Sequence, residues 1–211
     1  MAESQKQVLI PSQDLSLESV VHIPEGDGPF PGVVMCHPHP EYGGSMLDAV
    51  VVSVCQELVR KSIIALRFNF RGVGMSGGEF ANGLGERDDV IVALAFLSSF
   101  DTVDRSRIGL SGYSFGAVVS LMAGIQTSEV KALALVSPPV SFFPFGIEQL
   151  SKYPKPKFVI CGTADPFVPY QELQHSLKPE ELEVIDGADH FWSSEYRKVG
   201  DSISSFFHTV L

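Results

Sequence analysis

The sequence of 211 residues predicts one α/β domain spanning 1–211, with a mostly parallel central sheet of about seven or eight strands and helices on both faces. Two observations predict it. Six short apolar runs, at 31–38, 62–70, 107–114, 131–138, 157–165 and 181–189, are hydrophobic almost without alternation, as strands buried on both faces require. Segments with helical spacing lie between them, so strand and helix alternate from residue 31 to the end.

Each element has its own signature. Residues 17–23 alternate better than the rest and read as an antiparallel edge strand. PGVVMCHP, 31–38, is the first buried parallel strand. Residues 46–61 place Val and Leu at three- and four-residue spacing, a helix. The helix over 86–100 sets Val90, Leu94 and Leu97 on one face, with Glu86, Asp88 and Asp89 in its first turn, where the helix dipole favours acids. Residues 117–125 are small and apolar throughout, hence a buried helix. Tyr196, Val199, Ile203, Phe206 and Val210 form the stripe of a closing helix.

Composition narrows the function classes. A formal charge of −10 with no basic run argues against a nucleic-acid partner, since neutralising phosphates needs clustered Lys and Arg. The longest charge-free apolar segment, 132–147, is broken by Pro138, Pro139 and Pro144, too short to span a bilayer, and no secretory signal is visible at the N-terminus. Cys36, Cys55 and Cys161 all sit in apolar runs, which fits buried thiols in a reducing cytoplasm. A cytoplasmic protein, monomeric or homodimeric, is the expectation.

Chemistry in such sheets gathers at the carboxyl ends of the strands. After strand 62–70 comes RGVGMSGGEF, which spells G-x-G-x-x-G over Gly72, Gly74 and Gly77, and G-x-S-x-G around Ser76. Both motifs need a helix to begin at once, because phosphate or oxyanion sits on its N-terminus. GEFANGLGE follows instead, so this is a glycine-rich loop. After strand 107–113 the motif recurs as GYSFG, now between an apolar strand and the apolar helix AVVSLMAGI. A serine at so sharp a turn is held in a strained conformation with its hydroxyl clear of the sheet, which makes Ser114 the candidate nucleophile.

A serine hydroxyl needs a general base, and the base an orienting acid. Downstream, GTADPFVP supplies Asp165 and DGADHFW supplies His190, each in a loop after a strand, in the order Ser, Asp, His. Asp186 and Asp189 are rival acids, but they share the loop of His190 and are less able to reach the ring edge opposite the serine. His175 and His208 read as surface residues, and His22 precedes the nucleophile on the edge strand.

The stretches HPHPEYGGSM, RFNFRGVGMSGG, GYSFG, GTADPFVP and GADHFW together resemble the α/β-hydrolase superfamily. Within it, they resemble small, lidless bacterial and archaeal serine hydrolases related to dienelactone hydrolases. The resemblance covers nearly the whole chain. It implies the α/β-hydrolase fold with little or no lid and a Ser114–Asp165–His190 triad. It further implies an acyl-enzyme mechanism with esterase-type activity on a small-molecule ester and no need of a cofactor, and a compact apolar pocket would suit short to medium acyl chains. Dienelactone hydrolases proper carry a cysteine nucleophile where this chain has serine. Thioesterase, lactonase and peptidase chemistry use the same triad, and a non-catalytic binding protein on this fold is the alternative of a different class.

The oxyanion of such a mechanism needs two donors. One is the N–H of Phe115, after the nucleophile. The other comes from MCHPHPEYGGSM, 35–46. Pro38 and Pro40 have no N–H and the amide of His37 ends the strand, which leaves the His39 N–H as the first candidate, with those of Glu41 and Tyr42 behind it. The His-x-His pair there lacks a third ligand nearby, so no metal is expected. Around the site, Tyr113, Trp192 and the aromatic insertion Phe142, Phe143 and Phe145 are candidate pocket walls. Arg71 would favour a carboxylate-bearing substrate unless it pairs with Glu86 or Asp88.

Overall fold

A computed structural model describes residues 4–12, 15–140 and 146–211. Its strands are β1 (Ser4–Ser12), β2 (Leu15–Ile23), β3 (Phe30–Cys36), β4 (Ile64–Phe68), β5 (Val103–Tyr113), β6 (Val130–Val136), β7 (Lys157–Gly162) and β8 (Leu182–Ile185). Its helices are α1 (Ala49–Arg60), α2 (Leu84–Ser98), α3 (Phe115–Gln126), α4 (Gly146–Ser151), α5 (Tyr170–Ser176) and α6 (Tyr196–Val210). The strands form one eight-stranded sheet in the order β1-β2-β4-β3-β5-β6-β7-β8. From β4 to β8 every pairing is parallel, while β1–β2 and β2–β4 are antiparallel.

Alternate residues of the central strands feed two separate cores. Val34, Cys36, Leu110, Leu133 and Leu135 face the side covered by α2 and α3, where Val90, Leu94, Val119 and Leu121 are buried. Val33, Met35, Ala134 and Val136 face α1 and α6, which contribute Val54, Leu58, Val199, Ile203 and Phe207. Burial on both faces explains why the parallel strands read as unbroken apolar runs.

The sheet departs from the sequence reading at its edge. Residues 17–23 belong to β2, which is interior, paired to β1 on one side and β4 on the other. β1 is the true edge. Its first four residues, SQKQ, are exposed, so no apolar period marks it. Helices α4 and α5 are only six and seven residues long, too short for a clear helical period. Among the described residues no helix is long and apolar enough to cross a membrane.

The topology also fixes where a site must lie. β4 packs on one side of β3 and β5 on the other, so the chain reverses direction across the sheet at β3. The crevice beyond the carboxyl ends of β3 and β5 is the switch point where open α/β sheets bind ligands.

Candidate active site

β5 runs into α3 through a single residue, Ser114, with φ 56° and ψ −119°. A non-glycine residue with this φ is strained by about 1–3 kcal/mol and persists only when its surroundings over-determine it. Two contacts do so here. The Ser114 N–H donates to the Val136 carbonyl of β6 at 2.9 Å, continuing the ladder past the end of β5. Gly112 and Gly116 then let strand and helix meet: a Cβ on Gly112 would lie 2.2 Å from the Gly116 carbonyl oxygen, and one on Gly116 would lie 2.4 Å from the His37 oxygen. Gly112→Ala should therefore lower stability by about 3 kcal/mol, because the obstruction is backbone with no flexible end to move. A denaturant midpoint unchanged from wild type would contradict this packing.

The turn brings the serine hydroxyl to 2.8 Å from Nε2 of His190. His190 lies in the loop after β8, and its Nδ1 is 2.8 Å from Oδ2 of Asp165, in the loop after β7. The other carboxylate oxygen of Asp165 accepts the Phe167 N–H at 2.9 Å, which fixes the carboxylate plane. Ser114, Asp165 and His190 are 9 %, 5 % and 8 % exposed, so these bonds are shielded from competing water. The rival acids are engaged elsewhere. Asp186 accepts from the Thr163 hydroxyl, and Asp189 accepts the backbone N–H groups of Phe191 and Trp192.

The His190 loop is held from two sides. The Tyr113 hydroxyl donates to the His190 carbonyl at 2.7 Å, and burial pushes that phenol's pKa up, so it stays a donor. Trp192 is fully buried and donates through Nε1 to the Ser137 hydroxyl at 3.0 Å. Tyr113 therefore both lines the cavity and ties down the loop, whereas Trp192 is core and not a pocket wall.

The cavity over Ser114 is about 620 Å³, bounded by His39, Asp48, Tyr113, Phe115, Phe167 and Phe191 among others. Phe115 opens α3, and its ring lies 4.8 Å from that of His39, tilted 55° to it. No acceptor among the described residues takes the His39 N–H. Burial lowers the His39 pKa, so its ring is neutral at the cavity wall. A second cleft of about 390 Å³, beside Lys157 and Lys178, lies away from these residues.

Arg71 is not among the residues that line the cavity. Its backbone N–H, Nε and Nη2 all donate to the carboxylate of Asp89, at 3.0, 3.1 and 2.7 Å. Asp89 is fully buried on α2, and a buried carboxylate needs such a partner. Glu86 and Asp88, the partners expected from the sequence, bind elsewhere: Glu86 accepts the N–H groups of Ala81 and Gly83, and Asp88 pairs with Arg87. Phe142, Phe143 and Phe145 lie outside the described residues. Ser76 of the glycine-rich loop bonds Asn69 and Glu18, a structural use.

Phe167 and Phe191 were not anticipated. Each sits within two residues of Asp165 or His190, an adjacency that could have flagged them, and their rings lie 4.9 and 5.8 Å from that of His190. Asp48, which falls inside the helix expected over 46–61, instead caps α1, accepting the Val50 N–H at 2.8 Å, and it also lines the cavity. Both ring nitrogens of His37 are taken by backbone groups, leaving none for a metal. Among the described residues no group of three or more His, Cys, Asp or Glu could hold one.

Comparison with known proteins points the same way as the geometry. The family described as X-Pro dipeptidyl-peptidase (S15 family) matches residues 14–146. An uncharacterized protein of Rickettsia prowazekii is 32 % identical over 190 residues, covering 85 % of this chain and 79 % of that one. A lidless α/β serine hydrolase from Xanthomonas campestris superposes with a TM-score of 0.84 at 28 % identity, over 98 % of this chain and 95 % of that one. The esterase FrsA of an Enterobacter species is 30 % identical over 133 residues, 59 % of this chain. The chain spans only 29 % of that esterase's length.

Proposed function

The chain belongs to the X-Pro dipeptidyl-peptidase (S15) family of α/β serine hydrolases, and on that premise we propose that it cleaves small, uncharged carboxylic esters through an acyl-enzyme on Ser114. The observation that carries this reading is the pair of 2.8 Å contacts linking Ser114, His190 and Asp165 at the floor of an apolar cavity. Nε2 of His190 takes the hydroxyl proton as Oγ attacks the ester carbonyl carbon. The N–H groups of Phe115 and His39 bind the oxyanion, and loss of one such donor costs roughly 10²–10³ in rate. The tetrahedral intermediate collapses as His190 returns the proton to the departing alcohol. Water, deprotonated by the same nitrogen, then attacks the acyl carbon and frees the acid and the serine.

The cavity chemistry supports an uncharged acyl group. Its walls include Tyr113, Phe115, Pro139, Phe167 and Phe191, and no Lys or Arg is among the described residues that line it. Its carboxylate, Asp48, would repel a second one. A reducing compartment such as the cytoplasm suits three buried cysteines that form no disulfide.

Family membership favours a peptidase as the second reading, since the same triad cleaves amides. A panel of p-nitrophenyl esters of rising acyl length, run beside Xaa-Pro p-nitroanilides, decides between them. We expect kcat/KM to peak at short to medium neutral acyl chains, to fall when the acyl group carries a carboxylate, and to be far lower for the anilides. A higher kcat/KM on the anilides would make the protein a peptidase.

A further inference from the structure

His37 takes no part in the mechanism above, yet both its ring nitrogens are committed. Nε2 accepts the Phe70 N–H at 3.0 Å, at the end of the segment that follows β4. A neutral imidazole that accepts at Nε2 carries its proton on Nδ1. That Nδ1 lies 2.6 Å from the Pro38 carbonyl oxygen, to which it must donate. The ring is fully buried against Phe70, with centroids 4.6 Å apart, and burial lowers its pKa to about 4, so it keeps one proton at neutral pH.

The Pro38 carbonyl and the His39 N–H belong to one peptide group. Among the described residues the only cis bond is Gly28–Pro29, so the Pro38–His39 peptide is trans and its N–H points opposite its carbonyl. Fixing the oxygen fixes the N–H. Gly44 packs closely against the same carbonyl, where a Cβ would stand 2.2 Å from the Pro38 oxygen. The Gly44 N–H donates in turn to the His39 carbonyl at 3.0 Å. An accepted hydrogen bond on the carbonyl also polarises the peptide and makes its N–H a better donor.

We propose that His37 is a positioning residue for the oxyanion: held in one tautomer by Phe70, it grips the Pro38 carbonyl and so aims the His39 N–H at the reacting centre. The proposal rests on the acyl-enzyme reading, because it assigns the orientation of one of that reading's two donors.

Two variants separate this role from mere support of the fold. In His37→Asn the amide nitrogen stands near the position of Nδ1 and still donates to Pro38, while the bond from Phe70 is lost. In His37→Gln the amide oxygen stands near Nε2 and still accepts from Phe70, while the grip on Pro38 is lost. We expect the Gln variant to lose about 10- to 100-fold in kcat at unchanged KM. Inhibition by a trifluoromethyl ketone, which forms an oxyanion on the serine, should weaken by the same factor, and the Asn variant should keep most of both. Equal losses in the two variants, or no loss with Gln, would overturn the proposal. In the unmodified protein the nitrogen chemical shifts of His37 must report the Nδ1–H tautomer; the Nε2–H tautomer overturns it whether or not either variant folds. Full hydrolysis by Ser114→Ala would instead remove the acyl-enzyme reading, a failure distinct from a normal Gln variant in a serine-dependent enzyme.

Discussion

Ser114→Ala is expected to abolish ester hydrolysis, by about 10⁴-fold or more in kcat, and with it all covalent labelling by a fluorophosphonate. The size of the effect follows from what the side chain does. In the proposed mechanism Oγ is the atom that forms the acyl bond, and a water in its place would not be held against the carbonyl carbon. The fold should survive unchanged. Ser114 holds the turn through its backbone, by the bond from its N–H to Val136, and among the described residues its hydroxyl bonds His190. An alanine at φ 56° is no more strained than the serine it replaces. Labelling that persists in the variant would move the nucleophile elsewhere.

Asp165→Asn is expected to cost about 10⁴ in kcat with little change in stability. The reason lies in the two different partners of the carboxylate. One oxygen accepts the Phe167 N–H at 2.9 Å and the other faces Nδ1 of His190 at 2.8 Å. An asparagine must keep its oxygen toward Phe167, since turning the amide nitrogen there would set donor against donor. The NH₂ group therefore faces Nδ1 and requires that nitrogen to accept. The ring proton moves to Nε2, which then donates to the serine hydroxyl and can no longer take its proton. Steady-state kinetics on the variant, with its unfolding midpoint as control, measure this. Retention of more than a tenth of wild-type kcat would show that the tautomer is set by something other than Asp165.

The fold was legible because burial on both faces leaves its mark on composition. In β3, β5 and β6 the segments 33–36, 108–110 and 132–136 are apolar throughout for the same reason that α1 and α3 cover opposite sides of them. β1 was not legible, because an edge strand with SQKQ exposed needs no apolar residue there. The proximity of Ser114, Asp165 and His190 could be read from loop position, since each follows a parallel strand of known order. Arg71 could not be placed so well. Three acids follow it within one helical turn, and only the packing of α2 decides that Asp89 is the buried one. Asp48 was hidden for another reason. The helix expected over 46–61 absorbs it, whereas in the structure the same carboxylate serves as helix cap and cavity wall.

Trp192 carries a practical consequence. It is the chain's sole tryptophan, it stands two residues beyond His190, and its indole nitrogen bonds Ser137 at the end of β6. Its intrinsic fluorescence is thus an unlabelled reporter of the loop that carries the proposed base. Emission shifts during acylation or heating would register the disposition of that loop directly, without an attached dye.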